Sequence, residues 1–305
     1  MPERRPILLI DGKNVFMQMW HAFHSTTTEG KSAGGIVGFL TALSKYTERM
    51  QPSQIYVAWE NGQSAFRKKI LPEYKFNRKS HPADIVKDRT DQLISLINVL
   101  KHTPICQVYI AGCEGDDIIA YLCNKFSDAN KIIISADKDY YQLLDENTKI
   151  FAPVRKYYVD EDTVKSKYGI LSQNFVLFKS LCGDGSDNIA GIRGLGEKRL
   201  KKLFPDVSNT VIGLDDVYKI CQDNLDKNSF YKKIFENFES VQKYWKIIQL
   251  KNTILTNEQT QYVDTIIEQH HKKLDHQELI RAMMNEGLSF NHERLFVTMN
   301  DLCTL

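Results

Sequence analysis

The stretch VYIAGCEGDD (residues 108–117) decides the fold prediction, because it passes from an apolar run through an acidic loop into an amphipathic segment. The apolar run 108–111 has the length of a buried strand, and the segment 116–126 carries apolar side chains at helical spacing. A strand that leads directly into a helix is typical of a βα unit in a parallel sheet. The sequence therefore predicts an α/β fold built from such units.

The same alternation extends outward from this stretch. Further apolar runs predict buried strands at 7–10, 55–59, 132–134 and 149–152. Helical spacing predicts helices at 34–50, 88–100 and 140–144. We expect a mainly parallel central sheet flanked by helices. After Gly183 no strand is predicted, and apolar spacings of three and four over 217–255 and 263–288 predict a helical C-terminal region.

The bulk composition is that of a globular protein. With 42% hydrophobic and 26% charged residues, the 305-residue chain can form one large α/β domain or two closely joined ones. It has no apolar stretch of the roughly 18 residues that span a membrane and nothing like a signal peptide, so we expect a cytoplasmic protein without membrane contact. The six cysteines lack zinc-type spacing, and the net charge of +2 indicates no partner by itself.

Carboxylates follow four of the predicted strands. Because the C-terminal ends of parallel strands meet at one edge, where open α/β sheets bind ligands, we expect these side chains to share one cleft. The loop GDGSDN (183–188) adds two more acids. The full set of candidate metal ligands is Asp11, Glu60, Glu114, Asp116, Asp117, Asp137, Asp139, Asp184 and Asp187.

Nine acids in one cleft repel each other unless cations neutralise them. Oxygen ligands in this number favour Mg²⁺ or Mn²⁺, and a site where two metal ions act on a phosphodiester. Taken alone, an acid after a strand more often caps the following helix, and capping is the simpler interpretation of Asp116 or Asp187 by itself. The coincidence over five loops favours the metal cleft.

Together, these acidic motifs resemble the 5′-nuclease domain of bacterial DNA polymerase I and the bacteriophage flap endonucleases. The resemblance rests on Asp11-Gly12, Glu114-x-Asp116-Asp117, Asp137-x-Asp139 and GDGSDNIAG (183–191), in this order, and covers about residues 7–204. It implies a PIN-like 5′-nuclease core over 1–182, with a helical arch at about 64–100. It also implies a helical DNA-binding region over 183–305.

The resemblance also divides the acids between metal ions. A first cluster would comprise Asp11, Glu60, Glu114 and Asp116, with Asp137 close by. A second would comprise Asp139, Asp184 and Asp187, with Asp117 in support. The implied cofactor is Mg²⁺, as two or more ions, with Mn²⁺ as a substitute. The sequence departs from the family pattern in Glu60, where Asp is commoner, in Gly115, where Ala is commoner, and in lacking a proline between Ile189 and Gly191.

A basic segment lies between the acidic motifs. From Arg67 to Arg89 there are eight Lys or Arg residues and three acids, with the aromatic residues Phe66 directly before this range and Tyr74 and Phe76 within it. This composition suits a surface that binds a phosphate backbone and stacks on bases. The resemblance identifies LPEYKFNR (71–78) as the approach to the scissile phosphate, which implies catalytic roles for Lys75 and Arg78 and DNA contacts for Arg67 and Tyr74. On its own, a charge run is more often a solvated loop.

A glycine-rich turn, GIRGLGEKR (191–199), opens a predicted helix. Its glycines allow close backbone approach to phosphate. It resembles the helix-hairpin-helix type of turn, here at about 189–204, through which the family holds duplex DNA, often with K⁺ bound by loop carbonyls. A generic glycine-bearing connection remains an alternative to the K⁺ site. The candidate DNA contacts are Gly191, Arg193, Gly194, Gly196, Lys198, Arg199, Lys201 and Lys202.

We therefore expect a divalent-metal-dependent 5′-nuclease, acting as a 5′-3′ exonuclease or flap endonuclease in replication or repair. The expected substrates are branched or 5′-ended DNA and RNA:DNA hybrids, in the cytoplasm of a bacterial or phage-infected cell.

We expect a monomer, whose C-terminal helices could contact duplex or a replication protein such as a single-strand-binding protein. Two alternatives stay open: a PIN-type ribonuclease, generally shorter and without arch or turn, and a catalytically silent DNA-binding protein. Side chains alone do not decide between exonuclease and flap cleavage, or between RNA and DNA.

Overall fold

The computed structural model describes residues 5–60, 62–78, 80–271, 273–288 and 293–303. These residues form a six-stranded sheet with strand order β3-β2-β1-β4-β5-β6. The strands are β1 (Ile7–Asp11), β2 (Gln54–Trp59), β3 (Cys106–Tyr109), β4 (Lys131–Ile134), β5 (Thr148–Ala152) and β6 (Tyr157–Val159). Strands β1 to β5 pair in parallel, and β6 pairs with β5 in the antiparallel sense. The predicted mainly parallel sheet is confirmed.

Helices cover both faces of this sheet. In the first part of the chain they are α1 (Gly12–Ala22), α2 (Gly34–Met50), α3 (Ala65–Ile70), α4 (Ala83–Leu100), α5 (Gly115–Lys125), α6 (Glu161–Tyr168) and α7 (Phe175–Cys182). The later helices are α8 (Glu197–Leu203), α9 (Leu214–Gln222), α10 (Ser229–Glu236), α11 (Phe238–Ile248), α12 (Asn257–Gln269), α13 (His276–Asn285) and α14 (Glu293–Cys303). Short 3₁₀ helices occur at Lys138–Leu143, Ser172–Asn174 and Pro205–Ser208.

The sheet separates two hydrophobic cores, and β1 shows how the sequence builds them. Ile7 and Leu9 belong to one core, whereas Leu8 and Ile10 belong to the other. Successive side chains of a strand point to opposite faces, so a strand covered on both sides is apolar at every position. Burial on both faces of the sheet explains why residues 7–10 of β1 are all apolar. The arrangement leaves the acidic C-terminal end of β1 at the edge between the two layers.

The helices after residue 183 extend these cores. Leu279 on α13 and Met299 on α14 pack in the same core as Phe39 of α2. Val217 on α9 and Val263 on α12 belong to the other core. Residues on both sides of the predicted boundary at 182/183 therefore share hydrophobic cores, and the division into two regions stays a prediction. Within the residues that the structure describes, no helix is both long and apolar enough to cross a membrane.

Several predicted boundaries were wrong for local reasons. Strand β3 ends at Tyr109 rather than 111, because the chain turns there with a hydrogen bond from the Cys113 N–H to the Ile110 carbonyl (3.3 Å). The predicted helix 140–144 is the 3₁₀ helix Lys138–Leu143. The predicted helix 88–100 begins at Ala83, directly after Pro82. Helix α1 and the edge strand β6 were not predicted, whereas α2 has the predicted bounds.

Candidate active site

The carboxyl ends of the parallel strands place acids along one edge of the sheet, beginning with Asp11 at the end of β1. Its Oδ1 caps α1 by accepting the Asn14 N–H (3.0 Å), and its Oδ2 accepts from Ser135 Oγ and Tyr140 OH, both at 3.1 Å. Burial, together with the neighbouring charges of Glu60 and Asp137, raises the pKa of Asp11 to about 7. Asp11 therefore lies among other acids at this edge of the sheet, and their mutual repulsion favours the binding of a cation.

Glu60 follows β2 and lies on the same edge. Its Oε1 pairs with Lys13 Nζ at 2.6 Å, and its Oε2 accepts the Gly115 N–H at 3.3 Å. A Cβ placed on Gly115 would lie 3.9 Å from Asp11 Oδ1, an ordinary van der Waals distance. The Gly115 departure from the family pattern therefore does not arise from a steric need. Lys13 was not predicted; its only sequence signal is its position two residues after Asp11.

A second group of acids forms a candidate metal centre. One carboxylate oxygen from each of Asp139, Asp184 and Asp187 lies within 4.8 Å of the others. Lys179 on α7 forms ion pairs with Asp139 and, at 2.6 Å, with Asp184 Oδ2. Burial and the charge of Asp137 raise the pKa of Asp139 to about 7, although Lys179 opposes the rise. Three converging carboxylates and no softer ligand suit a hard divalent cation.

Lys179 is the main residue that the sequence argument missed. It lies five residues before Asp184, on the helix that leads into the acidic loop. Burial lowers its pKa, but Asp139 and Asp184 outweigh that effect and hold the pKa above its ordinary value. Lys179 is therefore a fixed positive charge beside the candidate metal centre. The sequence gives no stronger signal for it than its place one and a half turns before the loop.

Glu114 and Asp117 open α5 and are held by Arg67. The Arg67 guanidinium binds both oxygens of Asp117 (2.8 and 2.9 Å) and Glu114 Oε2 (3.2 Å), and its Nε donates to the Ile247 carbonyl (2.8 Å). One prediction is corrected. Arg67 is only 1% exposed and cannot contact DNA in this structure, so it positions acids. Asp117 has both oxygens bound to Arg67, and its support of the second metal cluster stays a prediction.

Asp116 and Glu114 differ in what surrounds them. Asp116 stays partly exposed, with Oδ2 3.4 Å from Arg67 Nη2, and burial raises its pKa. Burial also raises the pKa of Glu114, but Arg67 and Lys75 outweigh this effect and hold it below its ordinary value. Glu114 is therefore ionised and internally paired. Asp116 presents the more accessible carboxylate of α5.

Tyr74 and Lys75 reach into the acidic edge. Lys75 Nζ lies 2.6 Å from Glu114 Oε2. The Tyr74 hydroxyl lies within hydrogen-bond distance of both Glu114 Oε2 (3.1 Å) and Asp187 Oδ2 (3.2 Å), so it links the two acidic groups. Because Tyr74 is only 2% exposed, its ring is not available for stacking on a base. Its predicted DNA contact is corrected to a role in positioning Glu114 and Asp187.

Residues 71–78 are clamped onto the loop that carries Asp184 and Asp187. The Lys75 N–H donates to the Asp187 carbonyl (3.0 Å), Asn77 Nδ2 to the Gly185 carbonyl (2.6 Å), and Asn188 Nδ2 to the Glu73 carbonyl (2.9 Å). Arg78 remains half exposed, with Nη2 3.3 Å from Asp187 Oδ1. Phe76 is 79% exposed at the rim. The structure thus brings the two predicted catalytic cations to the acids.

The glycine-rich turn lies between α7 and α8. Gly191 has φ 62°, and a Cβ there would lie 2.3 Å from the Gly183 nitrogen, so only glycine fits. Gly194 has φ 84°, and Gly196, the N-cap of α8, has open space where a side chain would stand. The backbone of the turn is therefore accessible from solvent at Gly196.

The cations around this turn fall into two groups. Arg193, Lys198, Arg199 and Lys202 are exposed, whereas Lys201 is partly buried. Arg199 donates to the Gly194 carbonyl and lies over the Phe230 ring, 4.6 Å from its centroid, so it braces the turn. Lys201 Nζ donates to the Tyr168 carbonyl (2.9 Å) and to Glu197 Oε1 (2.8 Å). We expect a smaller DNA contribution from Lys201 than from the exposed cations.

Comparisons with known proteins agree with this geometry. Residues 6–169 match the family described as 5′-3′ exonuclease, N-terminal resolvase-like domain. The DNA polymerase I of Caldicellulosiruptor bescii is 32% identical over 231 residues, which cover 72% of this chain but only 26% of that relative. A 5′-3′ exonuclease of Buchnera aphidicola (subsp. Acyrthosiphon pisum) is 31% identical over 222 residues, covering 72% of this chain and 76% of the relative. The chain thus spans about a quarter of the polymerase and most of the exonuclease.

Among solved structures, the bacteriophage T5 flap endonuclease, in a complex with DNA and metal ions, has a similar fold. The TM-score is 0.70 at 19% identity, and the match covers 87% of this chain and 100% of that chain. The PIN-like 5′-nuclease fold is therefore confirmed.

Proposed function

The chain belongs to the family of 5′-3′ exonucleases with an N-terminal resolvase-like domain, and on this premise we propose that it is a divalent-metal-dependent 5′-nuclease of branched or 5′-ended DNA. Members of this family are phosphodiester hydrolases. The observation that carries the proposal is the convergence of Asp139, Asp184 and Asp187 within 4.8 Å beside the cations of residues 71–78. A catalytically silent DNA-binding protein would have no use for acids that repel its ligand.

We propose Mg²⁺ as the ion, with Mn²⁺ as a substitute. Asp139, Asp184 and Asp187 would hold one ion, and the accessible acids of the strand ends, Asp11, Glu60 and Asp116, would hold another together with Glu114. The all-oxygen donor set fits such ions, and Lys13, Lys75 and Lys179 already neutralise part of the same charge. When bound, divalent ions would neutralise the carboxylates and lower the pKa of water. That the T5 flap endonuclease was solved with metal ions supports this proposal.

Lys75 and Arg78 are the proposed cations of the chemical step. Lys75 Nζ lies at the acidic edge, and Arg78 stands half exposed at its rim. A phosphate that enters this cleft meets an ammonium group already held in place by Glu114 and by the left-handed backbone of Lys75 (φ 56°). A preorganised cation of this kind stabilises charge that develops on phosphate oxygens, and its loss typically costs roughly a hundredfold in rate.

The glycine-rich turn is the proposed duplex contact. Arg193, Lys198 and Lys202 are exposed around it, and Gly196 leaves room for a phosphate to approach the backbone. A K⁺ ion bound by carbonyl oxygens of residues 189–204 is part of this proposal. RNA:DNA hybrids are proposed as further substrates, because the acidic cleft and the turn would contact phosphates that RNA and DNA share. We further propose a monomer acting in the cytoplasm, with a single-strand-binding protein as a candidate partner.

Digestion of a 5′-end-labelled flap substrate tests the proposed activity. With Mg²⁺ we expect labelled products whose length reports either mononucleotide release or flap-length cleavage. A double-stranded blunt substrate labelled at the 3′ end controls for attack from the other terminus. Binding of the flap without cleavage at any divalent-metal concentration would favour the silent DNA-binding protein, and cleavage restricted to single-stranded RNA would favour the PIN-type ribonuclease.

A further inference from the structure

A small cavity adjoins the acidic edge beyond Asp137. It has a volume of about 200 Å³ and lies between the end of β4, the β5–β6 turn and the last turn of α6. A water molecule occupies roughly 30 Å³ of liquid, so the cavity has room for a much larger group. Asp137, which raises the pKa of both Asp11 and Asp139, lines one side of the cavity. The cavity therefore opens beside the proposed reaction centre.

Three cations from three separate elements line this cavity: Lys138, Arg155 and Lys167. Lys138 Nζ and Lys167 Nζ lie 6.0 Å and 5.4 Å from the centroid of the same Tyr168 ring, so both ammonium groups lie beside that ring. Within the described part of the chain, none of the three cations forms an ion pair with a carboxylate. Such a concentration of like charge favours an anionic ligand.

The residue beside the two ammonium groups also contacts helix α8. The carbonyl of Tyr168, whose ring borders the two ammonium groups, accepts a hydrogen bond from Lys201 of α8 at 2.9 Å. Helix α8, which follows the glycine-rich turn, therefore packs against the C-terminal end of α6, the helix that carries Lys167. The walls contributed by Tyr141 and Tyr157 offer apolar surface for a sugar next to the phosphate.

We propose that Lys138, Arg155 and Lys167 form a phosphate subsite for the nucleic-acid substrate, an inference that rests on the proposed nuclease function. Two phosphates could occupy it: the terminal 5′-phosphate monoester of the strand, or an internal phosphodiester. The monoester carries more negative charge than a diester and accepts more hydrogen bonds, which suits three cations that form no ion pair among the described residues. Neither the arch segment nor the glycine-rich turn includes these residues.

The test is equilibrium binding of fluorescent 5′-overhang duplexes that end in a 5′-phosphate or a 5′-hydroxyl. Measurement in an Asp139→Asn background separates binding from cleavage. The variant is Arg155→Ala with Lys167→Ala, both exposed side chains, and Lys138 stays intact because it adjoins two acids. Lys45→Ala with Arg281→Ala removes the same two charges from α2 and α13 and serves as the matched control.

For a terminal phosphate, we expect the parent to prefer the 5′-phosphate by about tenfold and the variant to lose that preference. For an internal phosphodiester, both duplexes should bind the variant about tenfold more weakly, with a salt slope smaller by about one. Affinities and slope equal to those of the control variant would overturn the subsite. Cleavage of a 5′-hydroxyl flap by the parent is scored separately, because its absence would defeat the proposed nuclease function itself.

Discussion

Lys75 is the residue whose role the structure sharpens most. Its ammonium group sits 2.6 Å from Glu114 Oε2, and its backbone N–H is bound to the Asp187 carbonyl. On the proposed function, a side chain fixed in this way would act in the chemical step, whereas a flexible lysine that binds the nucleic-acid backbone would act in affinity. Lys75→Ala should therefore lower the saturated single-turnover rate by about a hundredfold or more and change the dissociation constant little.

The control for Lys75 is Lys69→Ala, an exposed lysine on α3 in the same basic segment. Circular dichroism establishes that both variants are folded, since removing Lys75 leaves Glu114 with one fewer partner. Equal saturated rates in Lys75→Ala, Lys69→Ala and the parent would end the catalytic assignment.

The three converging acids lead to a second prediction at this scale. Asp139→Asn or Asp187→Asn should abolish or severely slow cleavage and leave substrate binding unchanged or tighter, because each removes negative charge that repels phosphate. Cleavage and anisotropy are measured on the same flap substrate, with the exposed Asp223→Asn as control. A folded variant that loses binding and activity together would count against this account.

Much of the candidate site could be predicted from residue type and order, but not which acids face solvent. Acids after strands had to meet at one edge of a parallel sheet, and Asp139, Asp184 and Asp187 do converge. In the sequence, Arg67 is one of several cations in a basic segment, and nothing distinguishes it from the others. Its burial beneath Glu114 and Asp117 depends on the packing of α3 against α11, where the Ile247 carbonyl receives its Nε. The hydrophobic periodicity of the sequence does not predict that contact, and it does not predict the ion pairs of Lys179 and Lys13.

At the scale of elements, fully buried helices and strands could be predicted best. Helix α2 has an apolar face throughout, and its predicted bounds hold. Strand β6 has three residues on the sheet edge, too few for any pattern. Helix α1 starts directly at the end of β1, with Asp11 as its cap, so no loop residues separate the two in the sequence. The segment after Asp137 is a 3₁₀ helix capped by Asp137, which accepts the Asp139 N–H, and periodicity did not distinguish it from an α-helix.

The turn between α7 and α8 provides a prediction about elements. Gly191→Ala should lower the free energy of unfolding by about 2 kcal/mol or more, because its φ is 62° and a Cβ would collide with the backbone of Gly183. Duplex affinity should fall with it. Gly196→Ala, in open space, should cost at most about 1 kcal/mol yet weaken duplex binding if phosphate approaches there.

Urea unfolding and duplex binding, measured on both glycine variants, separate the two effects. A Gly191→Ala protein as stable as the parent would contradict the steric account. A Gly196→Ala protein with full duplex affinity would place the phosphate elsewhere on the turn.

For the whole molecule, the crowded acids link stability to pH and metal. Burial and neighbouring acids raise the pKa of Asp11 and of Asp139 to about 7. A raised folded-state pKa gives stability that is fully present below about pH 4 and is lost as pH rises through about 7. The pKa values of Glu114 and Asp184 are lowered in the folded state, so these two groups reduce the stability only when the pH becomes acidic. Metal-free protein should therefore lose stability as pH rises from about 4 to about 7.

Divalent metal should reverse this loss, because it binds the ionised acids. The rise in Tm caused by Mg²⁺, relative to EDTA, should be larger at pH 8 than at pH 6. Asp139→Asn should reduce the difference between the two pH values. An equal or larger Mg²⁺ effect at pH 6 would show that these acids do not bind the ion as ionised groups.

The most direct test of the central claim is the single-turnover cleavage rate of a 5′-flap duplex as a function of Mg²⁺ concentration. The account predicts no cleavage in EDTA, a rate that rises more steeply than first order at low Mg²⁺ because two ions are required, and saturation at higher concentration. Asp184→Asn should shift or abolish this curve. Cleavage in EDTA at the rate seen with Mg²⁺, or an unchanged curve for Asp184→Asn, would contradict a metal-dependent nuclease built on these acids.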